Sequence, residues 1–257
     1  MDLLWRAAFS VAIGSSVWLL HSAIGRYPRP LPRSETPSRE IRQVLVLWGV
    51  AVIVPVLRIF VLSPWLNEAV TDRTLRELVQ VPLLSVPYIA LPLFVVLKLD
   101  RWTLNDLGLT LRTQSRGVTA FALGFGLASG AIAFATNQAV IGIEPLPVGA
   151  LVLLLYNNDF IEELYHRGVI QSMLERAVGQ RNAVLWGGIL FGLTHVVFDI
   201  TELAGTGVVF VCFAVLLQTM AGWFLGIVYM KTRSLWPGVA CHYLANWLPS
   251  ILAGLMG

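Results

Sequence analysis

Apolar residues run along this chain in blocks of about 20, the length a helix rising about 1.5 Å per residue needs to cross the hydrocarbon core of a bilayer. Eight such blocks can be read, at roughly 3–25, 43–63, 80–98, 117–137, 147–173, 183–199, 206–230 and 236–256. The pattern predicts an all-α fold: a polytopic transmembrane helix bundle of about eight spans, forming a single integral membrane domain over 1–257. Between the third and fourth blocks, "RWTLNDLGLTLRTQSR" (101–116) interleaves Trp102, Leu104, Leu107, Leu109 and Leu111 with polar residues. That alternation fits either a short helix lying at the membrane interface or a solvated connector. Three glycine pairs at GxxxG spacing, Gly126/Gly130, Gly188/Gly192 and Gly222/Gly226, predict close helix contacts.

Composition agrees with the pattern. The 257 residues are 56% hydrophobic and 13% charged, against about 25% charged in soluble domains. The net charge is only +3, and the basic residues are spread over loops, which speaks for membrane topology and against nucleic acid as a partner. Thirteen of the eighteen Lys and Arg fall in the loops 26–42, 98–116, 174–182 and 231–235, whereas the alternate loops hold only Arg73 and Arg76. By the positive-inside rule both termini are expected to be non-cytosolic, in a multi-pass protein of the plasma (inner) membrane. The two cysteines, Cys212 and Cys241, lie in apolar blocks without metal-ligand spacing and read as buried free thiols. The first block is longer than a signal-peptide core and lacks a basic leader, so it reads as a retained span.

One stretch breaks the apolar pattern. "NNDFIEELYHRG" (157–168) places Asp159, Glu162, Glu163, His166 and Arg167 inside the fifth block. Ionisable groups at membrane depth cost several kcal/mol each and normally face a protein interior. Glu163 and Arg167 are four apart, acid before base, the favourable order for an ion pair on one helix face. Glu162 points about 100° away from Glu163 and is left free. In "FGLTH" Phe191 and His195 share a face of the sixth block; in "HYLAN" His242 and Asn246 share a face of the eighth. Counted from the expected cytosolic ends, Glu162 lies roughly 16 Å deep, His195 roughly 18 Å, Asn246 roughly 15 Å and His242 roughly 9 Å. A carboxylate, two imidazoles and an amide at similar depth point to a polar cavity within the membrane rather than to helix glue alone.

"EELYHR", "FGLTH" and "HYLAN" match, in order, the EExxxR, FxxxH and HxxxN patterns of the CAAX protease and bacteriocin-processing family, also called the Abi family, which the chain resembles over about residues 100–250. That resemblance includes the "DLGL" stretch ahead of the core; the first two blocks contribute nothing to it. It implies an intramembrane glutamic endopeptidase with no cofactor and no metal, acting on a membrane-anchored or lipidated protein or peptide. By carry-over, Glu162 is the general base that activates water, His195 holds and polarises that water, and His242 with Asn246 forms the oxyanion hole. Arg167 orients the acidic pair, and Glu163 supports it. His166, on the Glu162 face, is placed to tune it.

Two other readings stand beside this one. Glu162, His195 and His242 make up a His2Glu set that a zinc hydrolase could use, although HExxH and HxxEH spacings are absent. Alternatively, the motifs serve structure in a non-proteolytic membrane scaffold or immunity factor. A transporter fits less well, because no inverted repeat is readable.

Overall fold

The computed structural model describes residues 3–138, 145–202 and 207–256, and the side chains among these except at 3–9, 137, 138 and 202. Residue 206, where the seventh span was expected to begin, lies outside the described residues. Helix dominates and no strand occurs among the described residues. We number the continuous helical segments α1 (Leu3–Ser22), α2 (Pro37–Ala69), α3 (Arg73–Leu99), α4 (Arg116–Gln138), α5 (148–178), α6 (180–202), α7 (Val208–Thr232) and α8 (Trp236–Met256). Each coincides with one expected apolar block. Six of them, α2, α3, α4, α6, α7 and α8, are long and apolar enough to cross a membrane, so this is a multi-pass membrane protein.

Helix ends follow local chemistry. Pro37 occupies the first turn of α2, where its missing N–H costs nothing. The Asp72 carboxylate accepts from Leu75 N (2.7 Å) and caps α3. Gly179, at φ +89°, makes the sharp break between α5 and α6, with the Arg33 guanidinium packed where a side chain would stand.

Helix α5 sits at the centre of the bundle, and its polar groups are satisfied by its neighbours because lipid cannot satisfy them. Tyr165 Oη donates to Leu47 O of α2 (2.6 Å), and Asn157 Nδ2 to Glu77 O of α3 (2.8 Å). Gln171 Nε2 donates to Gly226 O of α7 (2.9 Å), and Tyr243 Oη of α8 to Leu151 O (3.2 Å). Around that centre α4 packs on α8 and α6 on α7, at the expected glycines. A methyl group on Gly126 would lie 2.6 Å from Cys241 O, one on Gly130 2.7 Å from Leu248 Cβ, and one on Gly222 2.8 Å from Gly188 Cα.

Two expectations are corrected. Segment 101–115 forms turns and coil, not an interfacial helix. Trp102 and Leu107 enter the protein while Leu104 and Leu111 stay exposed, and Gly108, at φ +71°, accepts from Leu235 N through its carbonyl (3.0 Å). Cys212 is exposed on α7, so only Cys241 is a buried thiol; both are free. An apolar block places a residue in the membrane but does not say whether it faces lipid or protein.

The end of the bundle that carries the loops 23–36, 100–115 and 233–235 is tied by buried charge. Glu175 is met bidentately by Arg233 (2.6 and 2.7 Å) and accepts from Leu31 N (2.9 Å). Burial works against the Arg233 cation, but the Glu175 hydrogen bonds and charge outweigh it and hold its pKa above the usual arginine value. Lys231, expected in a solvated loop, is buried. Its ammonium donates to the carbonyls of Leu20, His21, Ile24 and Gly25 where α1 ends, and lies 4.6 Å from the Tyr27 ring centroid. Burial pushes the Tyr27 phenol up to about 12, Arg181 partly offsetting it, so the phenol stays neutral beside His21 Nδ1 (2.8 Å).

The glycine contacts give a direct test. Gly130→Ala is expected to destabilise the protein by about 1–3 kcal/mol through overpacking. Gly124→Ala, on the same helix with none of the described residues within 4 Å of the added methyl, is expected to be neutral or slightly stabilising. Thermal unfolding of the two variants in detergent reads the difference.

Candidate active site

The backbone of α5 changes winding at the polar run. One α-helical turn, Ile161–Glu163, is flanked by π-helical stretches at Leu155–Phe160 and Leu164–Gln171. A π turn closes i→i+5 and spreads side chains over a wider arc than an α turn, a winding often found at functional sites. The three carboxylates of this region are divided between two neighbours. Asp159 and Glu163 meet α8; Glu162 meets α6.

Glu162 is the accessible one of the three, its side chain one-third exposed, and its Oε2 lies 3.9 Å from His195 Nε2. Helix α6 is interrupted at His195, between the helical pieces Gln180–Thr194 and Val196–Glu202. The ring is fixed from its other side by Nδ1 against Phe191 O (2.9 Å). A carbonyl oxygen only accepts, so Nδ1 carries the proton and Nε2 faces Glu162 as an acceptor in the neutral ring.

Glu163 is almost fully buried between two partners. Its Oε1 lies 3.2 Å from His242 Nδ1 and 3.5 Å from Arg167 Nη1. The expected acid and base four apart are thus paired, with the imidazole of α8 as a third member. Arg167 is buried as deeply, its guanidinium carbon 4.1 Å over the Phe191 ring centroid. Among the described residues its Nη1 and Nη2 have no hydrogen-bond partner, and neither has His166 Nδ1. His166 is packed edge-on against Phe191 (5.1 Å) and Tyr165 (5.6 Å).

On α8, Asn246 Nδ2 and Trp247 Nε1 each donate to Asp159, at 3.0 Å to Oδ1 and 3.0 Å to Oδ2 respectively. Asp159 Oδ1 also faces His242 Nε2 at 4.0 Å. The structure therefore gathers all six site residues expected from sequence, Glu162, Glu163, Arg167, His195, His242 and Asn246, at the junction of α5, α6 and α8. Asp159 and Trp247 were not among them. The signal for Asp159 was present, one i,i+4 step before Glu163, which is itself one such step before Arg167; nothing in the sequence marked Trp247.

Chemically, the junction offers an accessible carboxylate beside an imidazole, next to a histidine and an amide held by buried acids. Among the described residues, no three His, Cys, Asp or Glu side chains converge closely enough to hold a metal ion. The His2Glu trio considered from sequence does not form such a group, since the His242 nitrogens are directed at Glu163 and Asp159.

Residues 144–248 match the family model described as type II CAAX prenyl endopeptidase Rce1-like, in agreement with the resemblance drawn from the three motifs. That description is of a peptide-bond hydrolase, and the match spans less than half of the chain. No curated protein and no solved structure matches the chain.

The buried Glu163–Arg167 pair predicts a stability effect. Arg167→Met strands the Glu163 charge and is expected to cost about 3–5 kcal/mol, seen as a lower unfolding midpoint in detergent. Arg167→Lys is expected to recover only part of it, because an ammonium lacks the flat surface that covers Phe191.

Proposed function

We propose that the Rce1-like domain makes this chain an intramembrane endopeptidase that hydrolyses a peptide bond near the C-terminus or leader of a membrane-anchored or lipidated substrate, using Glu-activated water. The observation that carries the reading is the 3.9 Å approach of the exposed Glu162 carboxylate to the acceptor nitrogen of His195. That gap is too long for a direct hydrogen bond. One water between the two groups donates a hydrogen to each and turns a lone pair outward.

In this mechanism Glu162 takes a proton from the water as its oxygen attacks the scissile carbonyl carbon. His195 accepts the second hydrogen and sets the direction of attack. The carbonyl oxygen becomes an oxyanion that accepts from Asn246 Nδ2 and His242 Nε2. Because His242 Nδ1 already faces Glu163, donation from Nε2 requires a ring carrying both protons, and carboxylates on both sides of the ring suit that form. The C–N bond then breaks, and the proton held by Glu162 passes to the leaving amine. Glu163 and Arg167 hold His242 and the α5 backbone in register.

The reading includes about eight spans with both termini non-cytosolic in the plasma (inner) membrane, and a catalytic core over about 100–250. Labelling of single cysteines introduced at Arg29 and Asp72 of a cysteine-free protein is expected to come from opposite sides of the membrane.

Cleavage of a prenylated CAAX peptide by purified, metal-stripped protein in detergent tests the chemistry. Glu162→Gln and His195→Ala are expected to abolish turnover while the unfolding midpoint stays near wild type. Asn246→Ala is expected to lower kcat about 10²- to 10³-fold, the effect of losing one oxyanion donor. Wild-type turnover by Glu162→Gln would falsify the glutamic mechanism, and activity restored only by added zinc would replace it with a metal-dependent one.

A further inference from the structure

Asp159 is the most costly group at the site that the proposed reaction leaves without a task. It is fully buried, and no arginine or lysine forms an ion pair with it among the described residues. A carboxylate in such surroundings is destabilising unless its oxygens are hydrogen-bonded. Both are: Oδ1 accepts from Asn246 Nδ2 and Oδ2 from Trp247 Nε1, consecutive residues on one turn of α8.

We infer that Asp159 is a positioning residue for Asn246, fixing which end of that side-chain amide faces the reacting carbonyl. This rests on the endopeptidase reading above. An amide has a donor end and an acceptor end of nearly the same shape, and a half-turn about its last bond exchanges them. An ionised carboxylate only accepts. Held against Asp159, the Asn246 NH2 group keeps one hydrogen on Oδ1 and leaves its second for the oxyanion. Without the carboxylate the amide can turn and present its oxygen, which repels the developing negative charge. Trp247 occupies the other carboxylate oxygen and keeps the acid from rotating away. Asp159 touches no reacting atom; it acts through Asn246.

Asp159→Asn tests this. It keeps the shape but presents one acceptor to two donors. Assayed on the same prenylated CAAX peptide, it is expected to lower kcat about 10- to 100-fold with KM changed less than twofold. In an Asn246→Ala background the same substitution is expected to lower kcat less than twofold further, because the group it positions is gone. A purely structural role predicts equal losses in both backgrounds, and that result overturns the inference. Asp159→Glu, which restores an acceptor-only group, is expected to regain at least threefold over Asp159→Asn. Where Asp159→Asn does not fold, Trp247→Phe serves: it frees one carboxylate oxygen and spares the Asn246 contact. Its loss in kcat is expected to be at least fivefold smaller than that of Asn246→Ala, and an equal loss overturns the assignment. Glu162→Gln runs in parallel: if it cleaves like wild type, the endopeptidase reading falls and this inference with it. If Glu162→Gln is inactive but Asp159→Asn matches wild type, only the role of Asp159 falls.

Discussion

A carboxylate that cannot reach water governs the arrangement of this protein. Glu163 is 1% exposed, and a charge so placed must be answered from within the protein. Arg167 supplies one counter-charge from the same helix, and His242 supplies a hydrogen-bonding partner from α8. Meeting both conditions fixes the axial register of α8 against α5 and brings Asn246 and Trp247 level with Asp159. It also sets Arg167 over Phe191, which carries α6 and its His195 to the neighbouring face. One buried charge thus links the three helices at which the candidate chemistry gathers.

The spacing of the acids along α5 is the means by which this is achieved. Asp159 and Glu163, four apart, share one face of α5 and meet α8, while Glu162, about 100° round the helix, meets α6. π-helical stretches lie on either side of the Ile161–Glu163 turn that carries Glu162 and Glu163. The interruption of α6 at His195 works in the same direction, since the ring is held by the carbonyl of Phe191 one turn back. Irregular backbone is tolerated at membrane depth where it is buried in protein, and here it lies at the centre of the bundle.

Much of this could be read in the sequence because membranes enforce simple rules. Block length placed the helices, and GxxxG spacing placed the contacts of α4 with α8 and α6 with α7. Charged residues in an apolar block pointed to the candidate site. What escaped depends on partners distant in sequence. Asp159 looks like any acid until Asn246 and Trp247, 87 and 88 residues later, are brought against it. The inward turn of Leu107 depends on the loop after α7, and the exposure of Cys212 on which face of α7 meets α1 and α6. Periodicity cannot report π winding either, because it assumes the regular turn that the site abandons.

The Lys231 ammonium at the end of α1 has a consequence for assembly. Its carbonyl partner at Leu20 is 211 residues earlier in the chain. At translation rates of about 5–20 residues per second, the end of α1 exists for roughly 10–40 s before the lysine that closes it is made. Through that interval the first helix has to rest in the bilayer on its own apolar surface, with the carbonyls at its end hydrated. The first and seventh helices therefore join late, and the bundle closes around its charged centre only after most of the chain has entered the membrane.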